Sequence, residues 1–254
     1  MDNYLEKYDT FTTKIVYIFR MGDGGIGDYT KFFLHLLDLC IENSIRLYVL
    51  KTDMILHKFL KLKYEKMYTE ESGHISVTDI STLQPDILYS VTPYMFYNHV
   101  LRLNLPLSSM FYFTNDVVKN APNYDYNHYI SIHLRLGDKF LETDTQYVLC
   151  KSDTRQYDES ALFAFIEANT DKIILFFCDN NAYKLRVKAK YDFIMITTYQ
   201  IGHTSLSNTT QQQVLDGITE FYLLIQSDAI YHASNSGFSL MAAKFRGIPY
   251  APIG

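Results

Sequence analysis

The stretch at 172–178 (KIILFFC) runs from Ile173 to Cys178 without a polar residue. Side chains on a strand alternate between its two faces, so a strand with no polar position must be covered on both sides. Such strands belong to the interior of a parallel sheet with helices above and below it, which makes the chain an α/β protein. The surrounding pattern agrees. A strand is expected at 129–134, a helix at 159–168, a helix at 181–190 and a strand at 193–198. A longer helix at 211–226, a short strand at 229–233 and a helix over about 236–245 complete this half.

The N-terminal part opens the same way. A β-rich run at 14–20 (KIVYIFR) leads into the turn Asp23-Gly24-Gly25-Ile26-Gly27-Asp28. Apolar residues then recur at helical spacing across 29–41 (Phe32, Phe33, Leu36, Leu37, Cys40), and 46–50 (RLYVL) is the next strand. Between these series the pattern is weaker. Strands are expected at 75–80 and 86–91 and a helix at 93–103, and residues 115–127, with Pro122 and several Asn and Asp, have the composition of a linker. This gives two α/β halves, 1–125 and 126–254, facing a cleft of the kind that favours ligands.

Composition narrows the function. Of the 254 residues, 48% are hydrophobic, which suits a packed core rather than a disordered chain. The net charge is −5 with no basic block, which argues against nucleic acid as a partner. Cys40, Cys150 and Cys178 are odd in number and too widely spaced for a zinc site or a disulfide framework, so buried thiols in a reducing compartment are expected. The polar N-terminus lacks the apolar core of a signal peptide, and no apolar stretch reaches the roughly 18 residues of a membrane span. A cytoplasmic protein without a transmembrane segment is the expectation. The eight histidines show no metal-ligand spacing, and the nucleophile elbow of the hydrolases is absent, so no metal is expected.

Three segments carry the chemistry. The first is Ser131-Ile132-His133-Leu134-Arg135-Leu136-Gly137-Asp138. Strand alternation sets His133 and Arg135 on one side at the C-terminal end of a strand, where open α/β sheets bind ligands. The planar guanidinium matches a pair of phosphate oxygens, Gly137 permits a tight turn, and Asp138 can fix that turn or orient Arg135. The same residues would also make an ordinary Arg–Asp pair at a strand end. The second is Ser234-Asn235-Ser236-Gly237-Phe238-Ser239, where a strand gives way to a helix. The N–H groups of a helix start attract anions, although one of these residues would serve equally as a plain N-cap. The third is the glycine turn at 23–28, which lacks the Gly-Lys-Ser/Thr of a phosphate-binding P-loop. Asp179, after the apolar strand, could accept hydrogen bonds from a base or ribose, or cap the following helix.

In this order the segments resemble the GDP-fucose-dependent fucosyltransferases of the α1,2/α1,6/protein-O-fucosyltransferase superfamily. Gly24-Gly25-Ile26-Gly27-Asp28 matches their Gly-Gly-x-Gly-Asn/Asp turn, and His133, Arg135, Gly137 and Asp138 match their His-x-Arg-x-Gly-Asp strand end. Cys178-Asp179-Asn180 corresponds loosely to their acidic turn. Asn235-Ser236-Gly237-Phe238-Ser239 corresponds to their terminal Asn-Ser-Ser/Thr-Phe-Ser block, with Gly237 replacing a hydroxyl residue.

The resemblance implies a GT-B type architecture of two Rossmann-like domains, with the acceptor on the N-terminal side and the donor on the C-terminal side. It also implies inverting, metal-independent transfer of fucose from GDP-fucose to a glycan acceptor, with no cofactor besides that donor. Arg135 would hold the β-phosphate and His133 the nucleotide. Gly25, Gly27, Asp179 and residues 234–239 would complete the donor site. An inverting transfer needs a base for the acceptor hydroxyl, and Asp23 and Asp28 on the glycine turn are the candidates. Another nucleotide sugar, or a nucleotide-diphosphate-binding protein without transfer activity, are the alternatives.

Overall fold

A computed structural model describes residues 1–52, 54–96, 98–124, 128–141, 153–203 and 209–254. The expected boundary between residues 125 and 126 lies outside these residues, as does Cys150. The N-terminal half carries α1 (Asp2–Lys7), β1 (Lys14–Tyr17), α2 (Ile26–Glu42), β2 (Arg46–Leu50), α3 (Leu56–Phe59) and β3 (Leu60–Leu62). It continues with β4 (Tyr68–Thr69), β5 (Ile75–Ser76), β6 (Leu88–Val91), β7 (Phe111–Phe113) and α4 (Asn115–Asn120). Its parallel sheet has the order β4-β2-β1-β6-β5, and β3 pairs antiparallel with β7.

The C-terminal half repeats the plan with β8 (Ile130–Leu134), α5 (Glu159–Glu167), β9 (Ile174–Cys178), α6 (Asn181–Lys190) and β10 (Met195–Ile196). After these come α7 (Gln211–Gln226), β11 (Ala229–His232), α8 (Gly237–Arg246) and β12 (Tyr250–Pro252). Its sheet, order β10-β9-β8-β11-β12, is parallel throughout. The expected α/β class, with two parallel sheets, is the class observed.

β9 is covered on both faces, as its composition requires. Ile174, Phe176 and Cys178 pack with Leu162 and Ile166 of α5 and Val187 of α6. Leu175 and Phe177 point the other way, into a core that also holds Ile15 and Tyr17 of β1, Phe33 and Leu37 of α2, Phe221 of α7 and Phe245 of α8. One core thus serves both sheets.

Strand order sets the position of the site. In the second sheet the chain moves from β8 to β9 and β10 on one side, then returns to place β11 and β12 on the other. The connections reverse between β8 and β11, and ligands of open parallel sheets bind at the C-terminal ends of strands at such a point. The first sheet reverses likewise between β1 and β6.

Three local expectations are corrected. The helix expected from residue 29 starts at Ile26, so the last residues of the glycine turn form its first turn. Residues 115–120, expected to be linker, form α4, anchored by the buried Val117. Of the helix expected at 93–103, the described residues form a single 3-10 turn at Pro93–Phe96.

Candidate functional site

The reversal points of the two sheets meet around a cavity of about 170 Å³. Eight of the residues singled out in the sequence line it: Gly25, Gly27, Asp28, Arg135, Asp179, Ser236, Gly237 and Phe238. All three chemistry-bearing segments are therefore brought together.

The closest approach is between two helix starts. A Cβ placed on Gly27 would lie 2.7 Å from the Gly237 carbonyl carbon and 2.8 Å from the Phe238 nitrogen. Only glycine at position 27 lets the first turn of α2 lie against the first turn of α8. Helix N-termini present main-chain N–H groups without intrahelical partners and the positive end of the helix dipole. Both starts line one cavity, and such N–H groups and dipole ends favour an anion. Within α2, Asp28 Oδ2 accepts the Gly25 N–H at 3.1 Å. Within α8, Ser236 is the N-cap, and its hydroxyl accepts the Phe238 N–H at 3.3 Å.

Arg135 follows β8 directly. Its main-chain N–H and carbonyl are both held by the Ser234 hydroxyl beyond β11, at 2.9 and 2.8 Å. Its guanidinium pairs with Asp138 and lies 3.7 Å from Asp153. Asp138 orients Arg135, one of the two roles open to it. Gly137 has φ of +110°, and a Cβ there would run into the Asp153 carbonyl oxygen.

Asp179 is buried, and each carboxylate oxygen accepts a main-chain N–H, Leu136 at 2.8 Å and Gly137 at 3.0 Å. Burial raises its pKa, against the opposing pull of Arg135 and those N–H groups. Asp179 lines the cavity, yet its lone pairs serve first to fix the turn behind Arg135. The cap of α6 is Asn180, whose side chain accepts the Tyr183 N–H at 2.9 Å.

Five expected residues do not line the cavity. Asp23 accepts the Arg20 N–H at 2.8 Å and stiffens the glycine turn instead. His133 shares Arg135's side of the strand by alternation, but Phe238 stacks over it with ring centroids 5.7 Å apart. Burial, with Arg135 next in effect, pushes the His133 pKa down to about 3, so the imidazole is neutral at physiological pH. Ser234 and Ser239 are buried, and Asn235 is exposed. The Ser239 hydroxyl lies 3.3 Å from the Tyr250 hydroxyl.

Among the lining residues that escaped the sequence reading, two carry titratable side chains. Arg155 adds a second guanidinium, held by Asp153 at 3.0 Å. His203 adds an imidazole whose pKa is lowered by burial and by Arg135, against the opposing carboxylates of Asp138, Asp28 and Asp153. Neither belongs to a local pattern; the path of the chain alone delivers them.

No family model and no curated protein sequence matches the chain. Solved structures with similar folds do exist. An Arabidopsis thaliana FUT1 mutant in complex with GDP is 12% identical at a TM-score of 0.57, over 98% of this chain and 73% of that one. The NodZ alpha-1,6-fucosyltransferase co-crystallised with GDP is 8% identical at 0.53, over 91% of each chain. The same enzyme soaked with GDP-fucose is 7% identical at 0.54, over 92% of each. The chain thus has a fucosyltransferase-like α/β fold.

Proposed function

We propose that this protein is an inverting, metal-independent glycosyltransferase that moves fucose from GDP-fucose to a glycan hydroxyl. The observation that carries this reading is the meeting of Arg135 with the starts of α2 and α8 at one cavity. As GDP departs, negative charge builds on its β-phosphate. A fixed guanidinium and oriented N–H groups stabilise such charge without reorganising, the largest single contribution in many active sites. Arg135 holds the β-phosphate and Arg155 assists. Ser236, Gly237 and Phe238 close over the diphosphate from the C-terminal half, 126–254, while the N-terminal half, 1–125, presents the acceptor. The fold shared with GDP-bound fucosyltransferase structures supports the choice of nucleotide. GT-B is the architecture this implies.

Asp28 is the base. It lines the cavity, whereas Asp23 does not, and its Oδ2 accepts the Gly25 N–H at 3.1 Å. The protein acts in the cytoplasm, a placement supported by the buried free thiols of Cys40 and Cys178.

Incubation with GDP-fucose and a panel of glycans, followed by GDP release and product mass, tests the activity. GDP binding with neither transfer nor donor hydrolysis would replace this reading with that of a non-catalytic binder. Thermal shift against GDP, UDP, ADP and CMP tests which nucleobase is bound, because a bound ligand raises apparent stability. A response to UDP alone would move the donor to another nucleotide sugar.

A further inference from the structure

A second cavity, of about 330 Å³, lies in the N-terminal half and has a different chemistry. Lys51, Lys58 and Lys61 line it, with Glu65 as their acidic neighbour. In a chain of net charge −5 this concentration of cations is out of keeping with the average surface. Their charges are poorly neutralised. Glu70 lies 3.8 Å from Lys51, and both side chains are exposed, a geometry worth little. The Lys58 ammonium donates to the neutral amide oxygen of Gln211 at 2.9 Å. Among the described residues, neither Lys58 nor Lys61 has a carboxylate within 4.0 Å.

One further group, Tyr68, suits a saccharide. The Tyr68 hydroxyl accepts the Leu62 N–H at 2.8 Å, which fixes its ring in the cavity wall with the Lys51 ammonium 5.4 Å from the ring centroid. His57 lines the same wall, with Nδ1 3.3 Å from the Thr52 hydroxyl and Nε2 buried without a hydrogen-bond partner. A fixed aromatic ring and ammonium groups together fit a sugar that carries an anionic group.

The wall of this cavity is also tied to the elements that border the first. Lys51 directly follows β2, the parallel neighbour of β1, whose own C-terminal end leads into the glycine turn. The His57 ring packs 5.5 Å from that of Tyr29, the residue after Asp28. Lys58 reaches the first residue of α7, the helix that supplies Gly217 to the first cavity.

We infer that Lys51, Lys58, Lys61 and Tyr68 form a subsite for an acidic residue of the acceptor, a sugar bearing a carboxylate, sulfate or phosphate group. This inference rests on the transferase reading for its purpose, and its test does not. The full chain is titrated by calorimetry with sialyllactose, a sulfated lactose and lactose itself, with and without GDP. Both charged sugars are expected to bind at least tenfold more tightly than lactose, and raised salt should erase the difference. Lys51→Gln/Lys61→Gln should lose at least tenfold in affinity for the charged sugars. A retained GDP-induced thermal shift would report that the variant is folded, and Lys61→Gln alone serves if it is not. Lactose binding as tightly as the charged sugars, or no loss in folded variants, would overturn the subsite. Displacement of sialyllactose by oligoglutamate at equal affinity would overturn it in favour of an acidic peptide. If charged sugars bind but GDP does not, the subsite stands and the transferase reading fails.

Discussion

The Arg135 N–H donates to the Ser234 hydroxyl at 2.9 Å, and the same hydroxyl donates back to the Arg135 carbonyl oxygen at 2.8 Å. This reciprocal pair ties the end of β8 to the end of β11 at the point where the strand order reverses. Ser234 is therefore a positioning residue. Its substitution should act on Arg135 rather than on a ligand.

Arg135→Ala should lower kcat/KM for transfer by about 10²–10³-fold, the range for loss of one preorganised charge-stabilising donor. The fold should persist in far-ultraviolet circular dichroism. Ser234→Ala should cost about 1–3 kcal/mol in chemical denaturation, since it leaves a part-buried N–H and carbonyl without this partner. Wild-type turnover in a folded Arg135→Ala protein would remove the central claim.

Asp28→Asn keeps an oxygen that can accept the Gly25 N–H and removes the proton acceptor. We expect turnover to fall at least about 100-fold, within the 10²–10⁴-fold range of general-base catalysis, with GDP affinity unchanged. Unaltered turnover would take the base role away from Asp28. A parallel loss of GDP affinity would show that the change acted on the turn.

Gly27→Ala pits two effects against each other. Alanine favours a helix over glycine by about 1 kcal/mol. The added methyl, however, would sit 2.7 Å from the Gly237 carbonyl carbon, where backbone must move. Overpacking of this kind costs about 1–3 kcal/mol, so net destabilisation is expected, together with weaker nucleotide binding. A stabilised variant with full affinity would show that the helix starts can separate freely.

The pH dependence of stability follows from His133, whose pKa falls from 6.5 to about 3 on folding. The unfolded chain takes up this proton as pH drops through 6.5, while the folded chain stays neutral until near 3. Stability is therefore lost on acidification across that window. Urea unfolding between pH 7 and pH 5.5 should show a loss of about 1 kcal/mol that a folded His133→Met variant lacks. Identical pH slopes would contradict the burial of a neutral imidazole.

The sequence made legible those parts of the molecule that depend on local pattern. The apolar run of β9 and the glycine turn before α2 each declared themselves, because alternation and backbone freedom are properties of neighbouring residues. Residues set directly after strands were found for the same reason. Residues delivered by the chain's path were not. Arg155 lies 20 positions beyond Arg135, and nothing nearby distinguishes it from other surface arginines. Lys184, fully buried and 2.6 Å from Glu220, sits in a helix that looks amphipathic and charged. Position 133 failed in the opposite sense. Alternation placed it correctly on the strand, but no local rule revealed that Phe238 would stack over it.

The core that joins Ile15 and Tyr17 of β1 to Leu175 and Phe177 of β9 bears on how the chain can be divided. Fragments severed near residue 125 would each expose apolar side chains that only the other can cover. Expressed apart, they should fold by complementation, each serving as template for its mate, and the cavity lined by both halves should appear only on reunion.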